Sequence, residues 1–313
     1  MRSKCDFPKL KGKAVLSPMA GVTDVAFRAL ARRHGAALAY TEFVSGTAIV
    51  RGNVHTLKMI QTDPIERPVA VQLFGHDVDD VVEAAKRMSE TFDIIDVNCG
   101  CPAWKVIKTG AGSEMLKTPE GISSFVNKLA SAINKPVTVK IRTGIDDLSI
   151  NAVEVAKIIE DAGAAAIAVH GRTQKQGYSG EASWDIIKKV KDAVNIPVIG
   201  NGDVFTPEIL KKRLDESGVD YVMIARGAIG NPFIFTQMND YLEKGTYTQS
   251  DRLKHFFEYL ELAKKYNIDF PSIQTHAMNF TKGSLGGARL RDALARCKTV
   301  EELNAVLEPR ITN

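Results

Sequence analysis

The strongest constraint on this chain is a repeated alternation. Eight short β-rich runs, at residues 14–16, 38–41, 69–73, 94–97, 137–141, 166–169, 197–199 and 221–224, are each followed by a turn and a longer stretch of helical period. Their starts lie 24 to 43 residues apart, room for one strand, one helix and two loops. Residues 78–91 place Val78, Val81, Val82, Ala85 and Met88 at helical spacing, and residues 152–162 repeat this with Val153, Val155, Ala156, Ile158 and Ile159. Thr118-Pro119-Glu120 and Thr206-Pro207-Glu208 each offer a cap, a proline at the first helical position and an acid in the first turn.

Strands alternating with helices imply parallel pairing through crossover connections. An open doubly wound sheet and a closed barrel both satisfy that alternation. The run ends favour the barrel. Nearly every one is polar or glycine-containing: Ser17-Pro18-Met19-Ala20-Gly21, Glu42, Gln72, Asn98, Lys140, His170, Asn201-Gly202-Asp203 and Arg226-Gly227. In a barrel all of these meet on one face, whereas in an open sheet only those at the switch point do. The reading is an α/β chain, a (β/α)8 TIM barrel over residues 1–246. After the polar break Gly245-Thr246-Tyr247-Thr248-Gln249-Ser250 no further β-rich run occurs, and residues 251–266 and 272–307 read as helix. A small all-α C-terminal domain is expected over residues 247–313.

Composition removes several other classes. With 313 residues and 44% apolar content the chain is too hydrophobic to be disordered and long enough for a large core. No apolar run reaches the ~18 residues that span a bilayer, and the start Met1-Arg2-Ser3-Lys4-Cys5-Asp6 is polar, so a cytoplasmic protein is expected. Cys5, Cys99, Cys101 and Cys297 are too few and scattered for a disulfide scaffold. Cys99-Gly100-Cys101 lacks zinc-knuckle spacing, and no metal site is expected. A net charge of +4 is only mildly basic.

Three constellations carry chemistry. The loops after the seventh and eighth runs, with Asn201, Gly202, Asp203, Ala225 and Arg226, sit where barrels of this type commonly hold phosphate: glycine admits a close backbone approach, and Arg226 adds charge. In the fifth run, alternation turns Lys140 and Arg142 to one face, where two cations call for an anion unless they reach solvent. Gln72 can offer a donor and an acceptor to a heterocycle edge, and His170 closes an apolar run. In Asp96-Val97-Asn98-Cys99-Gly100-Cys101-Pro102, Cys101 falls in a Gly/Pro turn at the reactive face, while Cys99 is placed to pack. A thiol protonated at neutral pH suits proton donation, and the sequence alone does not separate that from nucleophilic attack.

Taken together these motifs resemble the tRNA-dihydrouridine synthase family nearly end to end. The match runs through Ser17-Pro18-Met19-Ala20-Gly21-Val22-Thr23-Asp24 with Phe27-Arg28, Val71-Gln72-Leu73-Phe74-Gly75, Asn98-Cys99-Gly100-Cys101-Pro102 with Lys105-Val106, and Gly110-Ala111-Gly112-Ser113. It continues through Lys140-Ile141-Arg142, His170-Gly171-Arg172-Thr173, Gly177-Tyr178-Ser179-Gly180, Gly200-Asn201-Gly202-Asp203 and Arg226-Gly227. The resemblance implies FMN in the barrel, NADPH or NADH as reductant, and hydride transfer to C6 of a tRNA uridine. It makes Cys101 the acid that protonates C5. Pro18, Met19 and Ala20 would lie against the flavin, Gln72 and Lys140 at its pyrimidine edge, and His170 nearby. Asn201, Gly202, Asp203, Ala225 and Arg226 would hold its phosphate, and Asn98, Arg142 and Tyr178 would orient the uridine.

The C-terminal segment would grip tRNA. Between Thr281 and Lys298 five cations, among them Lys282, Arg289 and Arg291, face one anion, Asp292, and residues 281–288 read as a phosphate-touching loop. Where the family often has Arg-Lys before a histidine, this chain has Gln274-Thr275 before His276, which implies a weaker or differently placed grip. No membrane and no protein partner is implied. The competing reading is an FMN barrel acting on a free small molecule, like dihydroorotate dehydrogenase, in which the basic helical tail has no purpose.

Overall fold

All eight β-rich runs form strands, which close in chain order into one parallel barrel. They are β1 (Ala14–Leu16), β2 (Ala39–Ser45), β3 (Val69–Phe74), β4 (Ile94–Cys99), β5 (Val137–Arg142), β6 (Ala166–His170), β7 (Val198–Asn201) and β8 (Tyr221–Ile224). The computed structural model describes residues 5–283 and 286–310. The polar start Met1–Lys4, and Ser284 and Leu285 of the expected phosphate-touching loop, lie outside the described residues.

Period-two alternation sorts each strand into two faces. Outward Val69, Val71 and Leu73 of β3 join the apolar layer shared with the surrounding helices. Inward Val15, Tyr40, Ala70, Ile94, Ala168, Ile199 and Met223 fill the barrel itself. Further along the strands the inward positions turn polar. The ladder sets Gln72 beside Asp96 and Asp96 beside Thr138, then Asn98 beside Lys140, Arg142 beside His170 and His170 beside Asn201. The barrel is thus apolar inside at one level and polar toward the C-terminal ends of its strands.

Two local expectations are corrected. The second strand does not stop at Thr41 but runs to Ser45, because an irregularity between Tyr40 and Phe43 shifts its register and lets pairing to β3 resume. Glu42 lies within this strand, where it accepts the Gly21 N–H at 2.6 Å. Helix Pro119–Ala132 begins at the expected proline, but Thr118 makes no side-chain cap, whereas Thr206 accepts the Ile209 N–H ahead of helix Pro207–Ser217.

The helix after β8, Ile234–Lys244, ends on Gly245, whose φ of 74° is the left-handed stop that glycine favours. Helices Arg252–Lys265, Phe270–Phe280, Gly287–Arg296 and Val300–Leu307 follow with no strand among the described residues. Their buried Phe256, Tyr259, Leu260, Ala277 and Phe280 join the same apolar core as Phe27 and Leu30 of helix Val25–Arg33. Among the described residues no helix is long and apolar enough to cross a membrane.

The loop that follows β1 is fixed from behind by Arg28, a fully buried cation. Its guanidinium donates to Glu66 Oε2 at 2.5 Å, to the Thr23 carbonyl at 2.6 Å and to the Gln61 carbonyl at 2.5 Å. Removing one partner of a buried pair leaves the other charge unanswered, so Glu66→Ala is expected to cost about 3–5 kcal/mol in denaturant unfolding. A loss well below 1 kcal/mol would show that Arg28 finds another partner.

Candidate active site

The polar strand ends and their loops enclose a cavity of about 550 Å³. All fifteen barrel residues expected at the site line it: Pro18, Met19, Ala20, Gln72, Asn98, Cys101, Lys140, Arg142, His170, Tyr178, Asn201, Gly202, Asp203, Ala225 and Arg226. The three tail cations do not. Lys282 is exposed after helix Phe270–Phe280, and Arg289 (exposed) and Arg291 (half-buried) lie on helix Gly287–Arg296.

A buried relay organises the floor of this cavity, and its origin, Asp96, was not among the expected site residues. An ionised carboxylate only accepts. Asp96 accepts the Thr138 hydroxyl on one oxygen and the Gln72 amide nitrogen, at 2.7 Å, on the other. That turns Gln72 Oε1 toward Asn98, whose amide nitrogen donates to it at 2.8 Å. Asn98 Oδ1 is left to accept the backbone N–H groups of Gly100 (3.1 Å) and Cys101 (2.8 Å). A single carboxylate therefore sets the direction of every amide up to the turn that carries the thiol. Burial pushes Asp96 up to about 6, against the Thr138 and Gln72 hydrogen bonds and the Lys140 charge, so it stays mostly ionised at neutral pH.

The two cysteines of the turn separate by strand parity. Asn98 faces inward, so Cys99 faces outward, buried with its sulfur 3.7 Å from that of Met115. Cys101 is past the strand end and reaches the cavity. Burial raises the Cys101 thiol above its ordinary value, while the Ala103 N–H, Arg142 and Lys140 pull the other way. It is held as a neutral thiol, able to give up a proton.

Lys140 is the under-satisfied cation. Its ammonium carries three donors, yet its side-chain bond is a long one, 3.4 Å to Asn201 Oδ1. Burial, and then the Arg142 charge beside it, push it down to about 8, with Asp96 and Cys101 resisting. Arg142 is instead well satisfied, donating to the carbonyls of Gly100 (3.0 Å), Thr173 (2.7 Å) and Gly177 (2.9 Å). It clamps the thiol turn to the loop after β6. His170 is kept neutral: burial, then Lys140, Arg142, Arg172 and Arg226, push its pKa far below the ordinary value.

At the β7 and β8 ends, the Asp203 carboxylate lines the cavity but is already paired. It binds Arg172 through both oxygens (2.9 and 2.7 Å), Arg226 at 2.7 Å and the Ala182 N–H at 2.8 Å. Burial opposes this charge, but Arg172 and its companions outweigh it and hold the carboxyl below the usual range. Asp203 thus aims Arg226. That guanidinium lies between the rings of Tyr178 and Phe205, 5.1 and 5.4 Å from their centres. Gly202, at φ 137°, has no room for a Cβ, which would sit 2.4 Å from that of Ala182. Arg172, buried and absent from the expected set, was legible only as part of His170-Gly171-Arg172-Thr173. The first N–H groups of the short 3-10 turn Arg226–Ala228 have no partner inside it.

A closed parallel barrel whose C-terminal mouth holds a cavity with Lys140, Arg142 and Arg226 among apolar walls is the architecture of a barrel enzyme. The chain belongs to the dihydrouridine synthase family, whose model, described as "Dihydrouridine synthase (Dus)", matches residues 15–313. It is 38% identical over 312 residues to a probable tRNA-dihydrouridine synthase 1 of Synechocystis sp., covering 97% of this chain and 87% of the relative. It is also 38% identical over 314 residues to tRNA-dihydrouridine synthase B of Pseudomonas aeruginosa, covering 95% and 94%. Among solved structures, a histamine dehydrogenase from Rhizobium sp. 4-9 shares the fold with a TM-score of 0.58 at 14% identity, over 81% of this chain and 49% of that one.

The relay makes a stability prediction. Asp96→Asn puts a donor and an acceptor where Asp96 only accepts, so either the Thr138 hydroxyl turns to accept or the Gln72 amide loses its partner, and the buried charge that Lys140 faces is gone in both cases. Asp96→Asn is expected to destabilise by about 1–3 kcal/mol, read from denaturant unfolding. An unchanged midpoint would mean that the Thr138 hydroxyl absorbs the change and that the buried charge adds nothing to stability. A second check uses the thiol: because it is raised, alkylation at Cys101, followed by peptide mass spectrometry, should stay slow at pH 7 and climb only above roughly pH 8.5. Fast alkylation at pH 7 would mark a thiolate.

Proposed function

We propose that this chain reduces a uridine in tRNA to 5,6-dihydrouridine on a bound FMN, with NADPH or NADH as reductant and Cys101 as the proton donor. The observation that carries the reading is the pairing of a neutral Cys101 thiol with an under-satisfied Lys140 in one cavity. The donor set fits a flavin: Pro18, Met19 and Ala20 offer a largely apolar wall, and Gln72 and Lys140 offer donors at the cavity floor. The β7 and β8 loops with Arg226 offer backbone N–H groups and a cation for a phosphate.

Bound there, FMN supplies hydride chemistry, from the nicotinamide to C6 of the uracil ring. The residues of this chain supply the rest. Lys140 answers negative charge that gathers at the cavity floor. Cys101 gives its proton to C5, completing addition of one hydride and one proton across the double bond. The relay from Asp96 fixes the turn on which that thiol stands, and Arg142 closes the same turn from the other side. Asn98, Arg142 and Tyr178 line the same cavity and are assigned to orient the uridine. A tRNA uridine must leave its stack to arrive.

The proposed division of labour gives catalysis to residues 1–246 and tRNA grip to residues 247–313. Ile229 lines the cavity, and the next residue, Gly230, packs so closely on the Asn279 carbonyl that a Cβ would lie 2.3 Å from it. Helix Phe270–Phe280 therefore ends beside the mouth, and Lys282 follows two residues later. Lys282, Arg289 and Arg291 are assigned to the phosphate backbone.

The purified protein is expected to be yellow with FMN and to form dihydrouridine in tRNA when given NADPH. Cys101→Ala should retain the flavin and lower uridine reduction by roughly 100-fold or more. Full activity in that variant removes the thiol from its role, and turnover of dihydroorotate in place of tRNA overturns the substrate. The Lys140 charge is lost as pH rises through about 8, so uridine reduction at limiting tRNA should fall above that pH. Lys140→Arg, charged throughout, should move this alkaline limb upward. A limb that stays in place would assign it to another group.

A further inference from the structure

Trp104 is 72% exposed, while the chain's other tryptophan, Trp184, is 6% exposed in the core. A single exposed ring is ordinary by itself, but this one stands beside the reactive turn and walls a groove lined by cations. It opens the short helix Trp104–Ile107, three residues beyond Cys101. That turn is pinned, since the Cys101 carbonyl accepts both the backbone N–H and the hydroxyl of Ser113, at 3.0 and 2.8 Å. Trp104 therefore stands at a fixed offset from the thiol.

Trp104 walls a groove of about 660 Å³, separate from the catalytic cavity but sharing Pro102 with it. Three lysines and one acid line this groove: Lys108, Lys117, Lys175 and Glu114. Lys117 is held by Glu114 at 2.6 Å and Lys175 by Asp146 at 2.7 Å. Lys108 has no carboxylate partner among the described residues. The groove thus combines an exposed aromatic face and a net positive lining, and it meets the catalytic cavity at Pro102. Those are the features by which proteins hold single-stranded nucleic acid, with bases stacked on aromatics and cations along the backbone.

We propose that this groove seats a nucleotide adjacent to the target uridine in the RNA, its base stacked on Trp104 and its phosphate facing Lys108. This rests on the RNA-reducing function proposed above and adds a subsite to it. A uridine swung into the cavity pulls its neighbours out of their own stack, and Trp104 replaces part of the stacking they lose. Stacking tolerates any base and a phosphate contact carries no sequence information, so the subsite adds affinity and fixes the strand beside the reacting base.

The test is intrinsic fluorescence of the full chain with FMN bound. The difference between wild type and Trp104→Phe isolates the Trp104 emission, and titration with tRNA should quench it. Trp104→Ala should weaken tRNA binding roughly tenfold, and Trp104→Phe, which keeps a stacking face, should restore most of it. Lys108→Ala should reduce the slope of log K against log salt by about one. Wild-type tRNA affinity in Trp104→Ala, with tRNA still reduced by the wild type, overturns the subsite alone. Quenching of Trp104 by NADP⁺ without tRNA assigns the groove to the dinucleotide and also overturns it. A wild type that binds no tRNA brings down the function on which the subsite rests.

Discussion

Burying a charge inside a barrel is costly unless hydrogen bonds answer it. Asp96 is the root of that constraint here. It lies fully buried between Gln72 of β3 and Thr138 of β5. Because it can only accept, the amides of Gln72 and Asn98 each have one orientation, and the turn carrying Cys101 is hung from the last of them. Arg142 and Asp203 play the same part elsewhere in the mouth, one closing carbonyls together and the other holding two arginines apart. Lys140, whose side-chain bond within the barrel is the long one to Asn201, is where we propose that a bound anion sits.

The same logic extends to the C-terminal helices. Asp24 caps helix Val25–Arg33 through the Phe27 N–H, and its other oxygen meets the Tyr259 hydroxyl at 3.0 Å and His276 Nε2 at 3.1 Å. The His276 ring stacks on Phe27, 5.1 Å between centres. The loop holding Pro18, Met19 and Ala20 ends in this cluster, and Arg28 grips the Thr23 carbonyl from beneath. The tail thus anchors one wall of the cavity as well as carrying the basic residues. Gln274, where the family often has a cation, donates to the Leu294 and Cys297 carbonyls at 2.8 and 3.0 Å and ties two tail helices together.

The eight strands were legible because β-rich runs between polar breaks need only local composition. Their ends were less so. Glu42 looked like a strand end, yet a register irregularity carries β2 four residues past Thr41, and irregularities depend on the neighbouring strand. The barrel part of the site was legible as a set because strand ends converge whatever their detailed packing. Roles were harder. Cys99 and Cys101 are told apart by parity and by where β4 stops. Asp96 and Arg172 gain meaning only from partners on other strands and loops. Asp203 was read as one of five residues holding a phosphate, and its pairing with Arg172, which depends on how the loops after β6 and β7 meet, was not legible. The tail cations were legible as charge, and their distance from the cavity was not.

The central claim is that this barrel and tail together direct hydride chemistry to a uridine of tRNA. The most direct measurement is position-resolved mapping of dihydrouridine across the tRNA of cells with the gene, without it, and without it but supplied with Cys101→Ala. Dihydrouridine is expected to disappear at a defined position on deletion and not to return with the cysteine variant. An unchanged map on deletion, or full restoration by Cys101→Ala, would contradict the claim.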